Sequence, residues 1–237
     1  MIRAAIRLHC VTFVSPRSAT AKSCVRAFSL NADADRQKLK NARRVVVKVG
    51  TAVVANPDGT MALSRMGALV ESLRELKNEG RQVMLVSSGA VGLGRVQLGL
   101  SKQQVTSSFI DKQACAAAGQ EMLMSMYHMM FDRLGVKAAQ VLITQADLLE
   151  RQRYMFLTDT LDMLTELGTV PIINENDVVT GGSDGPQVFS DNDNLSAILA
   201  SGSDADGLAL LTDVEAVFTK PPDQPGAERI KVDNLTV

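Results

Sequence analysis

Two clusters of carboxylate and amide side chains, separated by a glycine-rich loop, are the part of this sequence with the clearest chemical potential. The first, Asn174–Asp177, directly follows the apolar run Val170–Ile173, and the second is Asp191–Asn194. A β-branched apolar run predicts a buried strand, and ligands of open α/β sheets bind beyond the carboxyl ends of the strands. Single Asn and Asp residues equally suit turns and helix N-caps, so Asp191 or Asn192 could simply cap the helix that follows. Two such clusters together favour a ligand site.

The elements that must position these clusters alternate between strands and helices. Apolar runs predict strands over Arg43–Val49, Gln82–Val86, Val136–Thr144, Val170–Ile173 and Gly207–Leu211, with Ala52–Val54 as a brief extended continuation of the first. Apolar spacing predicts helices over Arg65–Glu79 (with Ser64 as N-cap), Lys112–Leu134, Ala146–Leu167 and Leu195–Ala200. Because the strands alternate with helices and lack in/out alternation, we expect a three-layer αβα sandwich around a mainly parallel sheet.

Four of these strands end in residues suited to binding or chemistry. They are Lys48 with Gly50, Ser88 with Gly89, the Asn174–Asp177 cluster, and Thr212 with Asp213. A lysine in an apolar strand is costly to bury unless it meets an anion, although it can also snorkel to the surface at the strand end. Glycines directly after strands let backbone N–H groups approach phosphate closely. The standard P-loop and dinucleotide fingerprints are missing, which disfavours a dinucleotide-binding domain.

Length and composition limit the class of protein. The chain has 237 residues, of which 46% are apolar and 22% charged, enough for one large α/β domain. A formal net charge of −1 argues against nucleic-acid binding through a basic face. No apolar run approaches the length of a membrane span. The three cysteines show no CxxC spacing, which fits a reduced compartment.

The first thirty-odd residues differ in composition from the rest. Residues 1–32 contain arginine, lysine, serine and threonine, and the first acidic residue is Asp33. This composition is typical of an organellar transit peptide, although a disordered leader without an address would look similar. We therefore expect residues 1–36 to be a disordered targeting presequence and residues 41–237 to form the folded domain. A mitochondrial location is favoured, with a plastid or the cytoplasm as alternatives.

Six sequence blocks, in order, carry a resemblance to a known family. They are VVVKVGTAVV, VMLVSSGAVGLG, KQACAAAGQ, VPIINENDVV, DNDNLSA and LLTDVEAVFT. Together they resemble the amino acid kinase family, and within it the glutamate 5-kinases, including the kinase half of bifunctional pyrroline-5-carboxylate synthases. The resemblance implies transfer of the γ-phosphoryl group of ATP to the γ-carboxylate of L-glutamate, the first step towards proline. It also implies Mg²⁺ held largely by phosphates and waters, and a homo-oligomer (dimer or tetramer).

The same resemblance implies a role for each site residue. Lys48 would hold the transferring phosphoryl group, with the amides of Gly50 and Gly89 around it, and Asp193 would orient the lysines that grip phosphate. Ser88, Asp177 and Asn192 would bind glutamate, and Thr212 and Asp213 would lie against the nucleotide. No protein residue is expected to bind the metal directly.

The chemistry of the residues agrees with this assignment. A carboxylate acceptor is already ionised at pH 7, so the reaction needs no general base. Phosphoryl transfer depends mostly on positioning and on neutralising charge, which a lysine, backbone amides and a metal ion supply. The ammonium group of an acidic amino acid needs carboxylate and amide partners, and Asp177 with Asn192 suits that need.

Two alternatives stay open. Another amino acid kinase, acting on acetylglutamate, aspartate or carbamate, would share most of these features. Family members also carry a further glycine-rich block that ends in a lysine, and this sequence reaches Val237 without it. We therefore expect a kinase domain that is incomplete at its C-terminus, and a non-catalytic fragment of a bifunctional synthase is the second alternative.

Overall fold

A mainly parallel six-stranded sheet forms the centre of the chain in a computed structural model. The structure describes residues 11–12, 40–100, 109–180, 191–211 and 224–228. The strands are β1 (Val11–Thr12), β2 (Arg44–Val49), β3 (Gln82–Ser87), β4 (Lys137–Ile143), β5 (Thr169–Glu175) and β6 (Gly207–Leu211). Their order is β1-β6-β2-β3-β5-β4, and all neighbours are parallel except β1, which pairs antiparallel with β6. The predicted parallel sheet is confirmed, and the short strand β1 lies within residues 1–36, for which disorder was expected.

Helices cover both faces of this sheet. They are α1 (Thr51–Val54), α2 (Leu63–Asn78), α3 (Ala90–Gln97), α4 (Phe109–Arg133), α5 (Gln145–Leu149), α6 (Arg151–Glu166) and α7 (Asn192–Gly202). On β2, Val45 and Val47 pack in a core with side chains of α2 and α4. Val46, which points the other way, packs with side chains of α6 and α7. The three-layer sandwich is therefore confirmed. None of the described helices is both long and apolar enough to cross a bilayer.

Two predictions for the region after β2 are wrong. Ala52–Val54 does not continue the strand but belongs to the single helical turn α1, where Val53 N–H donates to the Gly50 carbonyl at 3.0 Å. This turn buries Val53 and Val54. Ser64 is not the N-cap of the next helix, because α2 begins one residue earlier and its N-cap, Ala62, makes no side-chain capping bond.

The predicted helix Ala146–Leu167 is also wrong, because it is two helices. Glu150 lies between α5 and α6 in an extended conformation, with φ of −84° and ψ of +118°. A capping box between Thr144 and Asp147 starts α5, and Arg153 bonds to both Asp147 and Glu150 across the break. These local polar contacts stabilise a bend that apolar spacing alone does not reveal.

Helices α3 and α4 cross with their backbones almost in contact. A Cβ atom on Gly94 would lie 1.8 Å from the carbonyl oxygen of Cys115, and one on Gly119 would lie 1.8 Å from that of Ala90. No side chain fits at either position, so the two glycines set the distance between these helices. On α4, Met122, Met126 and Met130 lie against the core, while Met129 is exposed.

Adding one methyl group at this crossing should destabilise the fold. We expect Gly119→Ala to lower the free energy of unfolding by about 2 kcal/mol, the usual effect of overpacking. Gly67→Ala on α2 is the matched control, because a Cβ there meets nothing within 4 Å. The control should raise stability by up to about 1 kcal/mol through helix propensity. Urea unfolding of both variants measures the difference, and equal effects would refute the close crossing.

Candidate active site

A cavity of about 260 Å³ lies beyond the carboxyl ends of β3 and β5, where α3 and α7 begin. Its described lining consists of Thr51, Ser88, Gly89, Ala90, Val91, Gly92, Asn174, Glu175, Asp177, Asp191 and Asn192. Strand β5 runs two residues further than predicted, so Asn174 and Glu175 belong to the strand itself. Helix α7 begins at Asn192 rather than at Leu195, and Asp191 is its N-cap, accepting from Asn194 N–H at 3.0 Å. Both polar clusters therefore meet at one cavity.

One wall of the cavity is the N-terminus of α3. Gly89 is its N-cap, with φ of +113°, a conformation that favours glycine, and no side chain caps the first turn. The following residues, Ala90–Gly92, line the cavity. Because the first N–H groups of a helix lack partners within it and carry a partial positive charge, this wall suits a carboxylate or phosphate group.

Another part of the lining, with Glu175 and Asp177, is acidic. Burial raises the pKa of Asp177 above the ordinary value of 3.8. Burial also raises the pKa of Glu175, with a further contribution from the charge of Asp177, while a hydrogen bond from Thr180 acts in the other direction. A cation placed between these carboxyl groups would favour their ionised forms. This wall therefore suits an ammonium group.

Asn192 connects the walls through hydrogen bonds. Its Nδ2 donates to Ser88 Oγ and to Asn174 Oδ1, each at 2.9 Å. Its Oδ1 is buried and has no hydrogen-bond partner among the residues that the structure describes. A buried acceptor without a donor is unfavourable, so a ligand with an N–H group would be stabilised here.

Two residues of this network, Asn174 and Gln120, were given no individual role from the sequence, although Asn174 belongs to a cluster predicted to form a ligand site. Asn174 is 3% exposed and donates to Gln120 Oε1 at 2.9 Å. Its position in a polar cluster at a strand end was a usable signal. Gln120 lies on α4, far from both clusters in sequence, and its place at the end of the block KQACAAAGQ was the available signal. On the same helix, the hydroxyl of buried Tyr127 hydrogen-bonds Ser87 Oγ at 2.9 Å, directly before Ser88.

Beside the cavity, Lys48 pairs with Asp193. Lys48 Nζ lies 2.5 Å from Asp193 Oδ1, and the residue Lys48 is only 8% exposed. Asp193 follows cavity-lining Asn192 in the first turn of α7, so this ion pair adjoins the cavity. A Cβ on Gly50 would lie 3.7 Å from Lys48 Nζ, whereas the Gly50 N–H donates to the Leu211 carbonyl at 3.2 Å. An anionic partner thus accounts for the buried lysine.

The structure therefore brings most of the proposed site residues together. Ser88, Gly89, Asp177 and Asn192 line the cavity, and Lys48, Gly50 and Asp193 adjoin it. Thr212 and Asp213 lie outside the described residues, directly after Leu211. The individual roles of these residues stay predictions. Within the described ranges, no group of three or more His, Cys, Asp or Glu side chains could hold a metal ion.

Comparison with known proteins gives consistent results. The model of the amino acid kinase family matches residues 43–236. The glutamate 5-kinase of Bifidobacterium adolescentis is 43% identical over 195 residues, which cover 82% of this chain and 50% of that protein. The glutamate 5-kinase of Moorella thermoacetica is 48% identical over 187 residues, which cover 79% of this chain and 48% of that protein. The delta-1-pyrroline-5-carboxylate synthase of Solanum lycopersicum is 43% identical over 211 residues, which cover 84% of this chain and 29% of that protein.

The chain thus spans about half the length of the two glutamate 5-kinases and under a third of the synthase. The family match nevertheless covers the whole sheet from β2 to β6, with the cavity, the Lys48–Asp193 pair and the helices between them. On this match, the chain belongs to the amino acid kinase family.

Proposed function

We propose that this protein is a glutamate 5-kinase, which transfers the γ-phosphoryl group of ATP to the γ-carboxylate of L-glutamate. The observation that carries the proposal is one cavity lined both by a helix N-terminus and by acidic side chains, lying beside an ion pair between buried Lys48 and Asp193. The names of the relatives, glutamate 5-kinase and delta-1-pyrroline-5-carboxylate synthase, support the choice of substrate and a place in proline biosynthesis.

The acceptor half of the proposal follows from charge. Free glutamate carries one ammonium and two carboxylate groups, and the cavity offers partners for both kinds. Asp177 would bind the ammonium group with the unpartnered Oδ1 of Asn192, while Ser88 and the α3 N-terminus would bind a carboxylate. An N-acetylated acceptor lacks the positive charge and would leave Asp177 buried without a counter-ion, which is unfavourable.

The donor half depends on Lys48. Its ammonium group would neutralise charge on the transferring phosphoryl group, and Asp193 would hold the lysine in place. Because Gly50 has no side chain, a phosphate could approach Lys48 Nζ closely past it. Mg²⁺ would arrive with ATP, held largely by phosphates and waters, and would supply further neutralisation of phosphate charge. Since the acceptor is a carboxylate, no residue has to remove a proton.

Trapping the acyl phosphate with hydroxylamine tests the proposed activity. The purified chain, with Mg-ATP and L-glutamate, should form the hydroxamate, and N-acetylglutamate and aspartate should give far less product. Preference for N-acetylglutamate would support the acetylglutamate kinase alternative. Absence of product with any acceptor, together with glutamate binding by calorimetry, would support the non-catalytic alternative.

The pKa of Asp177 predicts how glutamate binding responds to pH. Because burial raises this pKa, the carboxyl group takes up a proton at a pH above 3.8, and the neutral form no longer attracts the ammonium group. We expect kcat/KM for glutamate to fall by up to about tenfold per pH unit below the raised pKa. Steady-state kinetics from neutral pH down towards the ordinary value of 3.8 measure this, with kcat/KM for ATP as the comparison. An identical profile for both substrates would contradict the role of Asp177.

Assembly and location belong to the same proposal. Three exposed apolar side chains on α6, Met155, Phe156 and Met163, support packing between subunits of a homo-oligomer. Light scattering after size-exclusion chromatography measures its mass.

A mitochondrial location rests on the composition of residues 1–36, and imaging the full chain with a C-terminal fluorescent fusion tests it against the plastid and the cytoplasm.

A further inference from the structure

We propose that Gln120 is a positioning residue of the acceptor pocket, which sets the direction of the Asn192 amide by holding Asn174. This inference rests on the proposed glutamate site, because Asn192 acts there as a ligand-binding side chain. Gln120 is not among the described residues that line the cavity, and its contact with the network is through Asn174. Its effect on a ligand must therefore pass through that asparagine.

Both polar atoms of the Asn174 side-chain amide have hydrogen-bond partners, and these partners fix its orientation. The backbone N–H of Glu175 donates to Asn174 Oδ1 at 2.9 Å, and a backbone N–H can only donate. Asn174 Oδ1 must therefore face the Glu175 N–H, and Asn174 Nδ2 must face away from it. There it donates to Gln120 Oε1 at 2.9 Å. Since Asn174 is 3% exposed, water does not replace Gln120 readily.

The direction of the Asn192 amide follows from that of Asn174. Asn174 Oδ1 accepts a second hydrogen bond, from Asn192 Nδ2 at 2.9 Å, and the same Nδ2 donates to Ser88 Oγ. Asn192 Oδ1 consequently lies on the other side, where it has no described partner and can accept from a ligand. Reversing the Asn174 amide would place its NH₂ group against two donors, Glu175 N–H and Asn192 Nδ2. Gln120 stabilises the observed orientation, because its Oε1 accepts the hydrogen bond from Asn174 Nδ2.

Helix α4 is well placed to hold this network. Gln120 follows Gly119, the residue at which α4 approaches the backbone of α3. Tyr127 lies seven positions later, two turns along the same face, and hydrogen-bonds Ser87 at the end of β3. The same helix therefore contacts the ends of both β3 and β5, from which Ser88 and Asn174 reach the cavity.

Replacing Gln120 by leucine and by glutamate tests the proposal. Gln120→Leu removes the acceptor, and we expect it to raise KM for glutamate by about tenfold while KM for ATP changes by less than about twofold. Gln120→Glu keeps an oxygen acceptor and should retain a KM for glutamate within about threefold of the wild type. Gln152→Leu, at an exposed position of α6, is the matched control and should change neither constant.

A second readout does not depend on activity. With ¹⁵N-labelled asparagine, the side-chain amide signal of Asn192, assigned with Asn192→Ser, should shift in Gln120→Leu and stay in place in Gln120→Glu. An unmoved signal in Gln120→Leu, or an equal rise in KM for both variants, would overturn the inference. A wild-type chain that neither phosphorylates nor binds glutamate would instead refute the proposed function, and the amide signal would then decide the positioning role alone.

Discussion

Replacing Lys48 by alanine is expected to lower kcat for phosphoryl transfer by about 10³-fold while the fold survives. Lys48 is a buried cation beside the cavity, and in the proposed function its removal takes away charge stabilisation of the transferring phosphoryl group. Losing one such preorganised partner lowers kcat by about 10²- to 10³-fold in other enzymes, and a full positive charge belongs at the upper end. KM for glutamate should change far less, because glutamate is bound by other residues.

Stability should change little in Lys48→Ala. The remaining partner, Asp193, has a side chain that is 52% exposed, so its charge stays solvated after the lysine is removed. Lys137→Ala is the matched control, since Lys137 also lies in a strand but is exposed. Thermal unfolding and steady-state kinetics of the two variants should show similar melting temperatures and very different kcat values. A kcat for Lys48→Ala close to that of the control would remove Lys48 from the reaction.

Replacing Asp177 by asparagine is expected to raise KM for glutamate by about 10²-fold and KM for ATP by much less. Removing one partner of a buried, hydrogen-bonded charge pair costs about 2–5 kcal/mol, much of it because the other charge is left unpaired, and half-buried Asp177 belongs at the lower end of that range. Asp159→Asn, at an exposed position on α6, is the matched control. Equal increases in both KM values would place Asp177 outside the acceptor pocket.

The same substitution should leave the unliganded protein as stable as before or more stable. Because the pKa of Asp177 is raised by burial, the folded state binds its proton more tightly than the unfolded state does. Folding stability therefore falls as the pH rises through this raised pKa, and the ionised form at pH 7 is the unfavourable one. The amide introduced by Asp177→Asn is neutral at every pH, so the melting temperature of this variant at pH 7 should not decrease. A clear decrease would show that Asp177 has a structural role.

Much of the site was predictable because its polar and charged side chains lie at or directly after the carboxyl ends of strands. In a parallel sheet these ends share one edge, so Lys48, Ser88 and Asp177 could be expected near each other although they are far apart along the chain. The same logic holds for Asp193 at the start of α7, which pairs with Lys48. Periodicity was sufficient for α2, where Met66, Leu69 and Leu73 are buried as expected.

The remaining features depend on contacts that no local pattern contains. Gln120 acquires its position from the α3–α4 crossing and from a partner in β5, more than fifty positions away. The break at Glu150 depends on polar contacts of Thr144, Asp147 and Arg153, which apolar spacing does not register. Ala52–Val54 has the composition of a strand, yet burial of Val53 and Val54 favours a helical turn.

The close approach of helices α3 and α4 at Gly94 and Gly119 also has a mechanical consequence. With no side chain between the two backbones at Gly94 and Gly119, these helices cannot slide or separate independently without a clash or a void. A displacement of the α3 N-terminus by an incoming substrate would be passed rigidly to α4, and from there to Gln120 and Tyr127. The α3 wall of the pocket and the helix behind it would then respond to a ligand as one body.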